Sequence, residues 1–155
     1  MATMALVDEL ERFLDEYQAG LADFDAERSA ALWGTPGMLL GDEFAGALDT
    51  RELMAEGLRQ SYPLYRRLGL GGVGHTLLEH AALTERIVRL RVRWHFRDAA
   101  GAPLTDSDYE YLLRRDTGGW RVYVAVDIDA SRALAQLAAA QGIDLRDLAE
   151  DADGA

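Results

Sequence analysis

The chain has 155 residues, of which 49% are hydrophobic and 28% charged, with a formal net charge of −11 and no cysteine. This length and balance are typical of one globular domain with a single core, and they exclude a chain that is disordered throughout. The negative charge argues against a general affinity for nucleic acid or anionic membranes. The lack of cysteine excludes disulfides, thiolate metal sites and thiol nucleophiles.

The first residues and the hydropathy of the chain bear on its location. The opening sequence MATMALVDELERF has early acidic residues and no long apolar run, so we expect no secretory signal. No window approaches the roughly 18 apolar residues that a membrane-spanning helix needs. We therefore expect a cytoplasmic protein that binds neither membranes nor nucleic acid.

Two helices are predicted at the N-terminus. Residues 4–21 have the periodicity of an amphipathic helix, whose apolar stripe is Val7, Leu10, Leu14, Tyr17 and Leu21. A short second helix is predicted over DAERSAALW, residues 25–33. It is expected to end at the strong breaker Gly34-Thr35-Pro36-Gly37, residues 34–37.

Short strands and a third helix follow. The segments MLL and GDEFAGALD favour one or two short strands with a tight turn. Asp49 and Glu52 have the spacing of a capping box, which predicts that a helix begins at Asp49. Pro63 is expected to kink or restart this helix before Leu68.

Four strands and a final helix are predicted in the C-terminal half. The strands cover residues 75–84, 87–97, 108–116 and 120–128, with DTGG as a tight turn between the last two. SRALAQLAAAQG, residues 131–142, is predicted to form a terminal helix that ends at Gly142. We therefore expect a single domain over residues 1–142 and an acidic, frayed tail over residues 143–155.

The stretch RLRVRWHFRD, residues 89–98, indicates which face of the sheet is buried. Alternate residues of a strand face opposite sides, so its apolar residues share one face and its arginines and His95 share the other. Burying the arginine row unpaired would cost several kcal/mol per ion, whereas each buried apolar side chain contributes about 1.5–3 kcal/mol. The aromatic face is therefore predicted to point inward. The basic row is predicted to face solvent or a second copy rather than to bind an anion.

One strand register agrees with this assignment on both faces. Pairing Phe96 with Tyr109 brings apolar residues together inside and places Arg97 opposite Asp108 outside. Across the DTGG turn, Leu113 is predicted to pair with Val122, and the same register continues along both strands. The inward positions are then Val88, Leu90, Val92, Trp94, Phe96, Tyr109, Tyr111, Leu113, Trp120, Val122, Val124 and Val126. None of these positions is an acid, a histidine or an arginine.

The first of the four strands has two alternative registers. In one register His75 and Glu79 face inward, and in the register one residue away Leu78 and His80 do so instead. An inward Glu79 beside Trp94 would suit a general base. The alternative is a bulge or a strand end that lets Glu79 reach solvent.

Two other patterns are expected to carry no cofactor chemistry. GLGGVG, residues 69–74, has the glycine spacing of a dinucleotide-binding loop, but it leaves a helix and opens a strand, which predicts a connector. His75 and Glu79 would lie about 13 Å apart along a strand, too far for one ion with bonds of about 2 Å. We therefore predict no metal and no cofactor.

The order of elements resembles the nuclear transport factor 2-like (NTF2-like) superfamily, and within it the SnoaL-like branch. The resembling features are the leading amphipathic helix, GDEFAGALDTREL before the third helix, VRLRVRWHF, and YEYLLRRDTGGWRVYVAVDI, where Gly119 and Trp120 open the final strand. The resemblance implies an α+β fold in which helices close a cone against a curved antiparallel sheet. It also implies a pocket for a small apolar molecule and, in many members, a dimer.

The resemblance also bears on catalysis, because the superfamily includes ketosteroid isomerases, polyketide cyclases, dehydratases and epoxide hydrolases. These enzymes place Asp, His, Arg or Tyr inside the cone. The superfamily often has a base near the position of Asp42, so Asp42 and Glu79 are the candidate catalytic residues here, with a tyrosine as the acid. The alternative for Asp42 is an acid in a turn.

Six aromatic residues are expected to line the pocket, where their hydroxyl and indole groups can bind polar atoms of a ligand. They are Tyr17, Trp33, Tyr62, Trp94, Tyr109 and Tyr111, and Tyr65 is a further candidate for the same lining. The alternative is that they form an ordinary core.

The predicted function is the binding of a small apolar molecule. The first alternative is an isomerase- or cyclase-type acid–base enzyme, and the second is a non-catalytic dimeric interaction module with a filled cone. A homodimer is expected through the outer face of the sheet, with Arg91, Arg93, Leu112 and Tyr123 in contact.

Overall fold

The computed structural model describes residues 5–144, so most of the tail predicted to be frayed, from residue 145 onward, lies outside the described residues. Within the described range, four helices and six strands follow one another along the chain. They are α1 (Leu6–Ala22), α2 (Ala26–Ala30), β1 (Trp33–Leu40), β2 (Ala45–Leu48), α3 (Arg51–Arg67), β3 (Gly72–Ala82), β4 (Ile87–Arg97), β5 (Pro103–Asp116), β6 (Gly119–Asp127) and α4 (Ala130–Ala140).

The strands form one curved, unclosed sheet in the order β2-β1-β6-β5-β4-β3. Neighbouring strands are antiparallel, except that β1 lies parallel to β6. With helices on its inward face, this sheet confirms the predicted α+β class. Among the described residues, no helix is both long and apolar enough to cross a membrane.

The core lies between the helices and the inward face of the sheet. Val88, Leu90 and Val92 of β4 are completely buried, and they belong to the same hydrophobic cluster as Leu10 and Leu14 of α1. The assignment of the apolar row of RLRVRWHFRD to the interior is therefore confirmed. The free energy of burying this row, about 1.5–3 kcal/mol for each large apolar side chain, explains the choice of face.

The register between β4 and β5 differs from the prediction by four residues. Phe96 pairs with Thr105, not with Tyr109. The reason is the turn, since Asp98 donates its backbone N–H to Ala102 O in a tight connection and β5 begins at residue 103 rather than 108. Because a shift of four residues is even, every side chain of β4 and β5 keeps its predicted face.

The shifted register also changes the ion pairs on the outer face. The predicted Arg97–Asp108 pair is wrong, because Asp108 lies opposite Arg93 and accepts hydrogen bonds from it at 2.8 and 3.1 Å. Glu110 accepts a hydrogen bond from Arg89 at 2.6 Å. Acids from β5 therefore still pair with part of the basic row, as the interpretation of that row as an outer surface requires.

A bulge in β6 corrects part of the predicted inward set, because Tyr123 is an extra residue between Val122 and Val124. Leu113 pairs with Val122 as predicted, but the ladder shifts by one residue between Leu112 and Leu113. Beyond the bulge, Ala125 rather than Val124 or Val126 faces inward, and it is 1% exposed. The predicted inward positions of Val124 and Val126 are therefore wrong, because a single extra residue reverses the faces of a strand.

The region after α1 also differs from the prediction. The short helix α2 ends at Ala30, and β1 begins at Trp33 and continues through the predicted breaker, residues 34–37. This segment contains a cis Thr35-Pro36 bond and an irregularity in the pairing of β1 with β6 between Trp33 and Met38. The breaker sequence therefore interrupts the pairing without ending the strand.

The N-terminus of α3 lies one residue later than predicted. Thr50 has an extended backbone and its side chain accepts the backbone N–H of Leu53 at 3.1 Å, so Thr50 and not Asp49 is the cap. The helix runs through Pro63 without restarting. At its far end, Gln141 donates a hydrogen bond to Leu68 O at 3.0 Å, which ties the end of α4 to the end of α3.

Candidate functional site

A cavity of about 280 Å³ lies between the helices and the inward face of the sheet. Tyr17 and Leu21 of α1 form one side, and Met54, Leu58 and other residues of α3 form the opposite side. The sheet closes the back through β1, β4, β5 and β6. Helix α4 completes the wall with its residues Ala130, Ala133 and Leu134.

Stacked aromatic rings form the wall of the cavity on the α1 side. The ring of Tyr17 stacks on Trp94 with centroids 5.5 Å apart, and Tyr109 stacks on Tyr111 at 5.7 Å. Trp94 Nε1 donates to the Tyr111 hydroxyl at 2.8 Å, and Trp33 Nε1 donates to the Tyr17 hydroxyl at 3.3 Å. Each indole N–H is thus satisfied by a phenol, which holds the rings in place.

Burial sets the protonation of the phenols. It raises the pKa of Tyr17 to about 12 and the pKa of Tyr111 well above its ordinary value. Burial, together with the nearby Tyr65 and the carboxylate of Asp127, also raises the pKa of Tyr109. Near neutral pH these hydroxyls are therefore protonated, and they bind polar atoms as hydrogen-bond donors and acceptors rather than acting as bases.

Two hydroxyl groups of β5 are the least committed polar groups of the lining. Ser107 is 3% exposed, and it lies opposite Trp94 in the sheet. Neither the hydroxyl of Ser107 nor that of Tyr109 forms a hydrogen bond with another residue in the described part of the chain, residues 5–144. Because both residues line the cavity, both hydroxyls are suited to a hydrogen bond with a ligand.

The cavity brings together five of the six aromatic residues predicted to bind a ligand: Tyr17, Trp33, Trp94, Tyr109 and Tyr111. Tyr62 is the exception. It points to another side of α3, where its ring makes an edge contact with Phe24 at 5.1 Å. Tyr65 lines the cavity from α3 in place of Tyr62.

Two groups of lining residues were not predicted from the sequence. Ser107 and Thr105 were expected in a loop because the predicted strand began at residue 108. Ala133 and Leu134 were placed in a helix, but nothing in the sequence showed that this helix packs against β5 and closes the cavity.

The structure places Glu79 away from the cavity. The pairing of β3 with β4 shifts between Leu77 and Glu79, so Glu79 lies opposite Arg91 on the outer face and is exposed. His75 lies inward, as in one predicted register, and His80 lies opposite Leu90, as in the other. The bulge therefore combines the two registers and turns the glutamate outward.

Asp42 lies in the exposed turn between β1 and β2, where Gly41 and Phe44 are joined by backbone hydrogen bonds. Asp42 is therefore an acid in a turn, the alternative expected for it from the sequence. Among the described residues, those that line the cavity include no Asp, Glu, His or Arg. The two candidate bases thus have no direct access to a ligand in the cavity.

A separate cluster lies outside the cavity, where α1 crosses β3. Glu11, Asp15 and His75 each offer one possible ligand atom, and these three atoms lie within 4.8 Å of one another. The sequence did not reveal this cluster, because His75 is 60 residues or more from both acids.

Comparison with known families agrees with this architecture. A family model described as NTF2-like protein (DUF6841) matches residues 6–130. The chain belongs to this NTF2-like family. The superfamily that the sequence resembles is therefore confirmed, and the comparison with curated proteins found no match.

Solved structures share the NTF2-like fold at low sequence identity. An NTF2-like protein of unknown function from Shewanella oneidensis has a TM-score of 0.63 and 14% identity, with 79% of this chain and 98% of that chain covered. A domain of unknown function with a cystatin-like fold from Nostoc punctiforme has a TM-score of 0.63 and 13% identity, with 98% and 95% covered. A ketosteroid isomerase-like protein from Erwinia carotovora has a TM-score of 0.58 and 16% identity, with 77% and 92% covered. At such identities the similarity shows the fold alone.

Proposed function

We propose that this NTF2-like domain binds one small apolar molecule in the cavity between the sheet and helices α1, α3 and α4. The observation that carries the proposal is the cavity itself, about 280 Å³ with aromatic and aliphatic walls. This volume is close to the lower end of the range for ligand pockets, about 300–1,000 Å³. A ligand of one or two fused rings is the size that fits.

The polar groups of the lining favour an uncharged ligand. The hydroxyls of Tyr109 and Ser107 can bind one carbonyl or hydroxyl group of the ligand, because neither is committed to another described residue. An anionic ligand is disfavoured, since Asp127 lies near enough to raise the pKa of Tyr109 and the described lining carries no basic residue to balance a second negative charge.

The two alternatives have less support. An acid–base enzyme requires a base at the ligand, and both candidate carboxylates lie outside the cavity, while the phenols are held protonated by burial. A purely structural module with a filled cone does not need a cavity of this volume, and an empty apolar cavity destabilises a fold. Ligand binding accounts for the cavity without either difficulty.

The proposal is tested with a variant whose cavity is blocked, and the binding of two probe molecules is measured by isothermal titration calorimetry. The neutral probe is 2-acetylnaphthalene, and 2-naphthoate is its anionic match. Ala133→Phe places a ring in the cavity wall, and Ala135→Phe places the same ring on the exposed side of the same helix. We expect the ketone to bind the wild-type chain and Ala135→Phe alike, and Ala133→Phe at least about tenfold more weakly, the equivalent of 1.4 kcal/mol.

We also expect the carboxylate to bind the wild-type chain more weakly than the ketone. The proposal is wrong if the ketone shows no saturable binding to the wild-type chain. It is equally wrong if Ala133→Phe and Ala135→Phe bind the ketone with the same affinity.

Within the superfamily we propose that the chain belongs to the SnoaL-like branch. The segments VRLRVRWHF and YEYLLRRDTGGWRVYVAVDI support this placement, and they form β4, β5 and β6 around the cavity. A cytoplasmic location stays a prediction from the sequence.

A further inference from the structure

The cluster where α1 crosses β3 combines two carboxylates with one buried imidazole. Glu11 and Asp15 lie one turn apart on the same side of α1, and His75 approaches them from the inward face of β3. The Nε2 atom of His75 lies 2.8 Å from Glu11 Oε2 and 3.9 Å from Asp15 Oδ1. The side chain of His75 is 7% exposed, so its orientation is set by packing.

Both ring nitrogens of His75 face oxygen atoms. On the side away from the carboxylates, Nδ1 lies 2.6 Å from Gln18 Oε1. A neutral imidazole that donates through Nδ1 to this carbonyl has its lone pair on Nε2, and that lone pair faces Glu11 and Asp15. In this tautomer three acceptor atoms face one another, an arrangement that a cation between them would stabilise.

The arrangement has the features of a metal site rather than of a simple ion pair. Metal-binding histidines usually donate the second ring N–H to a carbonyl or carboxylate, which fixes the tautomer and the orientation of the ring, and Gln18 is placed to accept it. A single ion pair would need only Glu11. The second carboxylate, Asp15, adds the charge that balances a divalent cation.

The exposure of the two carboxylates and the net charge of the chain also agree with an ion that exchanges with solvent. The side chains of Glu11 and Asp15 are 43% and 69% exposed, so an ion can enter from solvent and water can complete its coordination. The net charge of −11 raises the local concentration of cations near the protein. One imidazole and two carboxylates are a donor set that suits Zn²⁺ better than Mg²⁺, which prefers oxygen ligands alone.

We propose that Glu11, Asp15 and His75 form a binding site for a divalent transition-metal cation of the zinc class, with Gln18 as the residue that orients His75. The site is distinct from the apolar cavity but adjoins its wall. The ring of His75 contacts Trp94 edge-on at 5.8 Å, and Trp94 lines the cavity. A bound ion therefore fixes α1 against β3 and holds one wall of the cavity in place.

To test the proposal, ZnCl₂ is titrated near neutral pH into the untagged full chain after treatment with a chelator. The heat of binding is measured by calorimetry, and the midpoint of thermal unfolding is measured separately. We expect one ion per chain and a midpoint of unfolding that rises with zinc concentration, because the ion binds only the folded arrangement. Asp15→Asn and Glu11→Gln should each weaken zinc binding at least about tenfold. Gln18→Ala should weaken it in the same direction, whereas MgCl₂ should not substitute for zinc.

Asp8→Asn is the matched control, because it removes one carboxylate from an exposed position of the same helix outside the cluster. It should bind zinc as the wild-type chain does. Asp15 is exposed, so its variant is expected to fold, which keeps the test decisive even if a His75 variant does not. The absence of saturable zinc binding to the wild-type chain, or equal losses in Asp15→Asn and Asp8→Asn, would overturn the proposal. The result of the zinc titration does not depend on whether the ketone binds in the cavity, so the two proposals can fail separately.

Discussion

The aromatic residues of the cavity show how far single residues could be predicted. Tyr17, Trp94, Tyr109 and Tyr111 line the cavity because strand alternation and the apolar stripe of α1 fix their direction. Trp33 also lines it, although it begins β1 rather than ending the predicted second helix. Tyr62 was misplaced for a geometric reason. At 3.6 residues per turn, Tyr62 lies about 80° around α3 from Met54, whereas Tyr65 lies only about 20° from it. Helical periodicity therefore favoured Tyr65, which lines the cavity.

The buried phenol of Tyr17 predicts a loss of stability at alkaline pH. Its pKa rises from about 10 when unfolded to about 12 in the folded chain, so the folded state holds the proton more tightly. The resulting stabilisation is fully present below about pH 10 and is lost as the pH rises through about 12. From this group alone, the free energy of unfolding should fall by roughly 2–3 kcal/mol over that range.

Urea unfolding at a series of pH values between about 8 and 12 measures this loss. Tyr17→Phe should make the dependence on pH shallower, because it removes the phenol whose proton the folded state holds more tightly. Parallel curves for the wild-type chain and Tyr17→Phe would contradict the assignment.

At the scale of elements, the first residue of a helix depends on which of several neighbouring polar residues caps it. Both Asp49 and Thr50 are acceptable helix caps by residue type. The structure selects Thr50, whose hydroxyl accepts the N–H of Leu53. We expect Thr50→Ala to lower the free energy of unfolding by about 1 kcal/mol.

Asp49→Ala is the matched comparison for the cap of α3, since it removes the neighbouring polar side chain. It should cost much less than Thr50→Ala in chemical denaturation. If Asp49→Ala costs as much or more, the helix begins where the capping-box pattern had placed it.

Strand registers were harder to predict than strand faces. The alternation of RLRVRWHFRD fixes which residues are buried, but any even shift preserves that pattern. The tight Asp98–Ala102 turn, in which Asp98 Oδ1 accepts the N–H groups of Ala100 and Ala102 and Gly101 has a positive φ, selects one register. The bulges in β3 and β6 have no clear signature in the sequence, and they decided the positions of Glu79 and Ala125.

At the scale of the whole molecule, association through the outer face of the sheet stays a prediction. Leu112 and Val124 lie side by side there and are only half-buried. Arg93 lies on the same face in its pair with Asp108, and the Tyr123 hydroxyl donates to Asp116 at 2.5 Å. A second copy would cover the apolar pair and leave the ion pairs at its rim, which is how protein interfaces are usually arranged.

Light scattering coupled to size exclusion measures this association. The wild-type chain should have the mass of a dimer, and Leu112→Arg should have the mass of one chain, because an arginine would be buried unpaired at the centre of the interface. Thr117→Arg, in the exposed turn before β6, should remain a dimer. A monomeric wild-type chain at high micromolar concentration would exclude the interface.

The amino-acid sequence by itself determined the fold class, the order of the elements and the buried face of the sheet, because local periodicity and the cost of burying charge act within each segment. Tertiary structure decided the registers, the closure of the cavity by α4, and the meeting of Glu11, Asp15 and His75. These features depend on turn lengths, single-residue bulges and contacts between distant segments, and no local pattern encodes the distance between residues that are 60 positions apart.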